Sequence, residues 1–254
     1  IGDVNHRLTR DELHLERARG LALMTENDLV NLEAAWDLSQ DLPSLPVVIH
    51  VSSIGMLRRV EDIESSTSFQ FFNSHRVAAE ALFATILSAR FESTPGLDVV
   101  VLGGFGRFGQ TIVERLQTLG EGELKKILIV DQDAEKQAEI FAQEVGFGKG
   151  MEWECVGADM ADPRTWSAVD SALAEHEGVI SFVLGTDDDA LNLRMAMSLR
   201  ERYPTASITL RCFHHSTFNA ELADSLQLTL VSLEDLVRAA IDDRLLPHLG
   251  VGRP

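Results

Sequence analysis

A glycine-rich loop between an apolar run and an amphipathic stretch constrains the fold of this chain more than any other feature. Residues 97–103 are apolar apart from Asp98 and predict a buried strand, and a helix is predicted over residues 107–119. The glycines at Gly104, Gly106 and Gly109 stand between the two. In a doubly wound sheet they allow a tight turn, a close approach of the backbone to a ligand, and close packing of helix on strand.

Apolar and amphipathic stretches alternate after this loop. Further strands are predicted over 126–131 and 153–159, and further helices over 133–144 and 163–174. Alternating strands and helices of this length are typical of a parallel sheet that is covered by helices on both faces. The sequence therefore predicts the α/β class, with a Rossmann-like doubly wound parallel sheet.

The chain also repeats itself at a constant offset of 161 residues. The pattern Thr-x-x-Asp-x-x-Asn begins at Thr25 and again at Thr186, and apolar runs at 45–51 and 206–212 align at the same offset. Each copy reads as strand, helix, strand, with the threonine predicted as the helix N-cap. We expect a tandem repeat with two domains, 1–92 and 93–254.

The first copy is incomplete, because this sequence holds no glycine loop or early strands for it. Its first residues, Gly2-Asp3, are similar to Gly157-Ala158-Asp159 at the predicted end of a strand in the second copy. We expect the native protein to extend upstream and supply the missing strands, since half a sheet with an open edge folds poorly alone.

The loop and the strand that follows its helix predict a nucleotide site. A helix N-terminus behind three glycines suits a pyrophosphate. Asp131 lies 22 residues after Gly109, where an acidic residue accepts hydrogen bonds from the adenosine ribose. Asp131 and Asp133 would repel the 2′-phosphate of NADP. NAD or NADH is the predicted cofactor, with ATP, ADP and AMP as alternatives.

Other residues have two interpretations each. Asp159 either accepts a hydrogen bond from the exocyclic amine of adenine or stabilises the turn that contains it. Arg107 either reaches across a phosphate of the ligand or is a solvated loop residue. Arg211, at the end of a predicted strand, is expected to supply a cation near the crevice. The predicted nucleotide-binding set is Gly104, Phe105, Gly106, Arg107, Phe108, Gly109, Asp131, Gln132, Asp159, Met160, Thr186, Asp189, Asn192 and Arg211.

Composition excludes several classes of protein. A net charge of −18 repels phosphate backbones, so no nucleic-acid partner is expected. Cys155 and Cys212 lie in apolar runs without metal-ligand spacing, which predicts free buried thiols and no metal site. His214-His215 is the remaining candidate for catalysis or metal binding, and a pair of solvated loop residues is the competing interpretation.

Together with Ile208-Thr-Leu-Arg211, the motifs above resemble the TrkA-N family, also called RCK or KTN domains. The resemblance covers residues 97 to about 232 in full, and residues 2 to about 72 as the rear half of a second copy. It implies a cytoplasmic regulator that binds nucleotide and forms homo-oligomers. It also implies a membrane-embedded potassium channel or potassium transporter as partner, either upstream in the same polypeptide or as a separate subunit, which would hold the chain at the inner face of the membrane.

The resemblance also implies a role for each site residue. Gly104, Gly106, Arg107 and Gly109 would hold the phosphates, Asp131 the ribose and Asp159 the adenine, while Asp189, Asn192 and Arg211 would line the rest of the cleft. In the first copy, His50 stands at the position of Arg211. The nucleotide site of that copy is therefore expected to be absent or incomplete.

A rival function is an NAD-dependent oxidoreductase that uses the same site. No Ser-Tyr-x-x-x-Lys pattern is present, and Tyr203 has no suitable lysine after it. We therefore predict no catalytic residues and no enzymatic activity. Two helices predicted over 74–90 and 233–245 carry apolar faces that either pack between domains or cover their own sheets.

Overall fold

The fold is described from a computed structural model. It describes residues 9, 12–64, 68–84, 98–119, 124–174, 176, 178–213 and 216–250. The dipeptide Gly2-Asp3, the pair His214-His215 and residues 85–90 of the predicted helix 74–90 lie outside the described residues.

Strands and helices alternate along the described residues, because apolar runs bounded by turns are followed by amphipathic stretches. The predicted strand 153–159 ends two residues earlier, at Gly157, so that Asp159 lies in the following turn. The strands are β1 Leu21–Leu23, β2 Val47–His50, β3 Phe69–Phe72, β4 Asp98–Gly103, β5 Leu124–Asp131, β6 Glu152–Gly157, β7 Ile180–Leu184, β8 Ser207–Cys212 and β9 Thr229–Ser232. The helices are α1 Asp28–Asp41, α2 Ile54–Glu64, α3 Ser74–Leu82, α4 Arg107–Leu119, α5 Ala134–Glu144, α6 Pro163–Leu173, α7 Asp189–Arg202, α8 Thr217–Ser225, α9 Leu233–Ala240 and α10 Leu246–His248, with a π-helical turn, Ile241–Leu245, before α10.

The larger sheet has six strands in the order β6-β5-β4-β7-β8-β9, and all five pairings are parallel. Chain order runs outward from β4 in one direction and then outward from β7 in the other. Every residue of β4 is buried, as expected for a central strand covered on both faces. At the edge, β6 exposes Glu152, Trp153 and Glu154, and charged side chains protect such an edge from pairing. This confirms the predicted doubly wound Rossmann-like sheet.

One core cluster of this sheet explains why α6 and α7 carry apolar faces. Trp166 of α6 and Leu199 of α7 are buried with Val101, Leu128 and Phe182 of three neighbouring strands. A buried side chain of this size stabilises a fold by about 1.5–3 kcal/mol relative to exposure. The cluster holds the two helices on the sheet and so positions the loops at the carboxyl ends of the strands.

The smaller sheet has three parallel strands in the order β1-β2-β3. The 161-residue offset carries α1 onto α7, each of 14 residues, and carries β1, β2 and β3 onto β7, β8 and β9 to within two residues. This confirms the tandem repeat. Among the described residues, the first copy carries only the rear half of the sheet that the second copy carries in full.

The N-caps of α1 and α7 differ from the prediction. The caps are Asn27 and Asp188, whose side chains accept hydrogen bonds from backbone N–H groups in the first turn. The predicted threonines, Thr25 and Thr186, lie two residues earlier. Their hydroxyls bond an asparagine one turn into the helix, which places the threonine outside the cap position.

The chain divides into two compact units, residues 75–236 and residues 1–74 together with 237–254. The larger sheet lies wholly in the first of these and the smaller sheet in the second. Almost all of α3 therefore belongs to the unit of the larger sheet, and the part of the chain after Leu236 belongs to the unit of the smaller one. None of the helices that the structure describes is both long enough and apolar enough to cross a lipid bilayer.

Both cysteines are free thiols, and the prediction that they are buried is confirmed for Cys212 but not for Cys155. Cys212 is buried at the end of β8, and Cys155 on β6 is half-buried. Burial raises the pKa of each thiol to about 11, with smaller contributions from Glu135 and Glu154 for Cys155. Within the described ranges, no group of three or more histidine, cysteine, aspartate or glutamate residues could hold a metal ion.

Candidate functional site

The three glycines of the loop have three different steric reasons to be glycine. Gly104 has a φ of +93°, a conformation that side chains rarely adopt. A side chain at Gly109 would collide with the carbonyl oxygen of Gly104, so this glycine lets α4 pack directly on the end of β4. At Gly106 a Cβ atom would meet nothing within 4 Å, and that open space borders the N-terminus of α4. This arrangement is suited to a pyrophosphate, which can approach the backbone N–H groups at the helix N-terminus.

Asp131 at the end of β5 braces the loop. One carboxylate oxygen accepts a hydrogen bond from the backbone N–H of Phe105 at 2.8 Å, and the other accepts from the N–H of Asp133 at 2.9 Å. Each carboxylate oxygen can accept more than one hydrogen bond, so ribose hydroxyls can still be bound. The spacing of Asp131 from the loop predicts a ribose ligand, whereas its second role, holding the loop in position, depends on contacts that spacing does not reveal.

A cleft of about 440 Å³ lies at the carboxyl ends of β4 and β7, where the strand order reverses. Open α/β sheets bind their ligands at this place. From the predicted site, five loop and strand-end residues and Thr186 meet here. The lining residues are His75, Gly104, Gly106, Arg107, Phe108, Asp131, Gly185, Thr186 and Asp187.

Three lining residues, His75, Gly185 and Asp187, lie outside the predicted set. Gly185 and Asp187 flank Thr186, and their place directly after a predicted strand was the signal that could have found them. His75 is different, because it comes from α3, far away in the sequence. Its ring lies 6.1 Å from the ring of Phe108, centroid to centroid, in an edge-on arrangement. Only tertiary structure brings it to the cleft.

A second hollow, of about 220 Å³, adjoins the cleft and shares Asp131 and Thr186 with it. It lies between the ends of β5 and β6 and contains the predicted residues Gln132, Asp159 and Met160. In Rossmann folds the adenosine half lies on this side of the glycine loop. The lining residues are Val130, Asp131, Gln132, Asp133, Ala158, Asp159, Met160, Thr186 and Leu191.

Asp159 stabilises the turn that contains it. One carboxylate oxygen accepts from the N–H of Ala161 at 2.8 Å, and the backbone carbonyl accepts from the hydroxyl of Thr165 at 2.5 Å. Met160 is buried, and its carbonyl accepts from the indole N–H of Trp166 at 2.9 Å. The turn is therefore held on both sides, which fixes the outer wall of the smaller hollow.

Asn192 and Asp189 lie behind the cleft rather than along it. Asn192 is fully buried; its Nδ2 donates to the carbonyl of Thr186 at 2.9 Å and to that of Arg211 at 3.2 Å. Its Oδ1 accepts from the hydroxyl of Thr186 at 2.7 Å. Asp189 accepts from the N–H of Phe213 at 2.8 Å. These side chains tie α7 to the ends of β7 and β8 and hold Thr186 at the cleft.

Two arginines with contrasting environments belong to this region: Arg107 lines the cleft, whereas Arg211 lies behind the lining residues Phe108 and Asp187. Arg107 is exposed, and its guanidinium has no partner in the part of the chain that the structure describes. Arg211 at the end of β8 is buried, with its guanidinium carbon 5.3 Å from the centroid of the Phe108 ring. Its Nη1 donates to Asp187 at 2.9 Å. The cleft therefore has one exposed cation in its lining and one buried cation directly behind it.

Comparisons with known proteins agree with this geometry. The family model described as the TrkA-N domain matches residues 99–231. No curated protein sequence matches the chain. The solved structure titled "GsuK Channel" is similar with a TM-score of 0.66 and 16% identity, over 97% of this chain and 56% of that one. A second, titled "Crystal structure of the GsuK bound to ADP", gives a TM-score of 0.63 and 15% identity, over 94% and 56%.

These structural likenesses show a shared fold. This chain spans little more than half the length of the GsuK chains. The family match is more specific, because it begins in β4, includes the glycine loop and Asp131, and ends in β9. It covers more than half of the 254 residues and coincides with the sheet that carries the cleft. The chain belongs to the TrkA-N domain family.

Proposed function

We propose that the larger sheet binds an adenine nucleotide, NAD or NADH in the first place, and that binding regulates a potassium channel or potassium transporter. The observation that carries the nucleotide assignment is the open space above Gly106 at the N-terminus of α4, beside a carboxylate at the end of β5. The phosphates would lie on the loop, the ribose at Asp131 and the adenine in the smaller hollow. Asn192 and Asp189 would act by positioning Thr186 and the end of β8.

The shape of the cleft supports a dinucleotide. From the loop, the smaller hollow extends toward β6, and the larger cleft extends the other way to Gly185 and Asp187 at the end of β7. The two halves of NAD would need these two directions. ADP, ATP and AMP would fill less of the cleft and are the alternatives. NADP is disfavoured because three carboxylates, Asp131, Asp133 and Asp159, line the smaller hollow and would repel a 2′-phosphate.

Family membership and the repeat support the regulatory role. We propose that residues 1–92 are the rear part of one TrkA-N domain and residues 93–254 a complete one, acting as a cytoplasmic homo-oligomer at the inner face of the membrane through a channel or transporter partner. A ligand regulates such an assembly only if its affinity differs between two arrangements of the domains. GsuK is a structural precedent, because one of its structures is titled as a channel and another as bound to ADP.

Binding is tested by titration calorimetry with NAD, NADH, NADP, ATP, ADP and AMP on wild type, Gly106→Ala and Gly148→Ala. A methyl group at Gly106 enters open space and leaves the fold intact, but it occupies the volume assigned to the phosphates. We expect affinity to fall about tenfold or more. Gly148→Ala is the matched control, since a Cβ there makes ordinary contacts of 3.5 Å or more with Gln117. Unchanged affinity in Gly106→Ala would refute the phosphate assignment.

Regulation is tested in the organism that encodes the chain. Gly106→Ala at the chromosomal gene should alter the potassium flux of whole cells, and Gly148→Ala should leave it as in wild type. Equal fluxes in both strains would reject the regulatory role while leaving nucleotide binding standing. Incubation with NADH and a panel of 2-oxo acids tests the rival function, because oxidation of NADH that depends on such a substrate would identify an oxidoreductase.

A further inference from the structure

Arg211 is a fixed cation whose hydrogen-bonding capacity is largely unused. The residue is 7% exposed, and its guanidinium lies over the ring of Phe108. The one hydrogen bond that the guanidinium makes among the described residues joins Nη1 to Asp187, and Nε is buried without a partner among them. A guanidinium has five N–H donors, and a buried one is costly unless anions or acceptors satisfy it. The cleft beside it is therefore suited to an anion with several oxygens.

Asp187 is held far less firmly than Arg211. Its side chain is 94% exposed, whereas that of Arg211 is 8% exposed. The carboxylate can leave the pair at little cost because water solvates it fully, whereas the arginine is held by its surroundings. Both Asp187 and Phe108 line the cleft. A ligand phosphate that reaches this end of the cleft would compete directly with Asp187 for the guanidinium.

We infer that the Asp187–Arg211 ion pair selects among adenine nucleotides by competing with a terminal phosphate. This rests on the proposed nucleotide site, with adenine near β6 and phosphates at Gly106. The terminal phosphate of ADP or ATP then points toward β7 and β8 and must displace Asp187 to reach Arg211. A dinucleotide has no terminal phosphate and leaves the ion pair in place. Asp187 thereby disfavours nucleoside polyphosphates relative to NAD and NADH.

The test compares Asp187→Asn with Asp188→Asn. Both remove one negative charge at neighbouring positions, but only Asp187 contacts Arg211. Asp188 caps α7, a role that asparagine also fills, so the control keeps its fold. In Asp187→Asn we expect the dissociation constants of ADP and ATP to fall about tenfold, the scale of one charge-assisted contact, with NADH changed less than about twofold. In Asp188→Asn the ratio between ADP and NADH should stay within about twofold of wild type.

An Arg211→Gln background completes a double-mutant cycle. In that background the Asp187→Asn substitution should no longer change the ratio of the dissociation constants of ADP and NADH, because the guanidinium for which Asp187 and the phosphate compete is absent. If Arg211→Gln does not fold, the comparison of Asp187→Asn with Asp188→Asn tests the proposal without it. Equal ratios in wild type and Asp187→Asn would overturn the selectivity role while nucleotide binding stands. Failure of wild type to bind any of the nucleotides would instead overturn the proposed function.

Discussion

The two copies of the repeat hold the same motif with nearly identical bonds. In the first copy, Asn31 accepts from the hydroxyl of Thr25 at 2.7 Å and donates to the carbonyls of Thr25 and His50, both at 2.9 Å. The corresponding bonds of Asn192 in the second copy measure 2.7, 2.9 and 3.2 Å. The second copy borders the glycine loop, whereas the first has no such loop in this sequence. The asparagine is therefore a structural tie that does not depend on a ligand.

The aspartates of the motif differ more. Asp28 accepts from three donors: the backbone N–H groups of Ser52 and Ser53, and the hydroxyl of Ser52, which lies within hydrogen-bond distance of both carboxylate oxygens. Asp189 accepts one, from Phe213, and its buried Oδ1 has no hydrogen-bond partner among the described residues. The first copy thus satisfies its aspartate completely, and the second leaves it under-satisfied at the end of β8.

The largest contrast is in the residues that could meet an anion. Asp187 and Arg211 of the second copy stand where the first copy has Glu26 and His50. Arg211 lies over Phe108 at the cleft, while the ring of His50 lies 5.9 Å from that of Phe72, within its own sheet. What the copies share builds the fold, and what differs between them carries the proposed binding.

Alanine at either asparagine is the strongest way to test the shared role. Asn31→Ala and Asn192→Ala each leave buried carbonyl and N–H groups without their partner, so each should lower the free energy of unfolding by about 3 kcal/mol. Urea denaturation measures the loss, and hydrogen exchange locates it, at β2 in the first variant and at β8 in the second. A large loss confined to Asn192→Ala would contradict a purely structural tie.

Alanine at the two aspartates should separate the copies. Asp28→Ala leaves three donors without their acceptor and should cost about 2 kcal/mol of unfolding free energy, whereas Asp189→Ala leaves one and should cost about 1 kcal/mol. The same denaturation series measures both. Equal costs would show that the hydrogen bonds of Asp28 do not set its contribution.

The thiol of Cys212 tests burial at the end of β8, where the first copy has Val51. Burial first, and then the carboxylates of Asp189 and Asp235, raise its pKa to about 11, so the reactive thiolate forms only as pH rises toward that value. Alkylation by iodoacetamide at pH 8 should run about a hundredfold slower than for an ordinary thiol of pKa near 9. Mass spectrometry of the modified peptide gives the rate of alkylation. Labelling at pH 8 as fast as that of an ordinary thiol would show that Cys212 is exposed to solvent at the end of β8.

Local patterns in the sequence were enough to predict the second domain closely. The helix after the glycine loop was predicted over 107–119 and is found at Arg107–Leu119, because an apolar stripe bounded by the loop admits one register. The N-caps were displaced by two residues, since asparagine and aspartate compete with threonine for the same backbone groups. Spacing alone cannot settle such a competition.

The sequence by itself determined the alternation of strands and helices, the three glycines and the acidic residue at Asp131, because these depend on local periodicity and fixed spacing. Tertiary structure alone decided which side chains meet at the cleft. It brought His75 from α3 against Phe108, paired Asp187 with Arg211 across two strands, and placed Asn192 behind the cleft. These contacts join residues far apart in the chain, so only the packing of helices on the sheet could fix them.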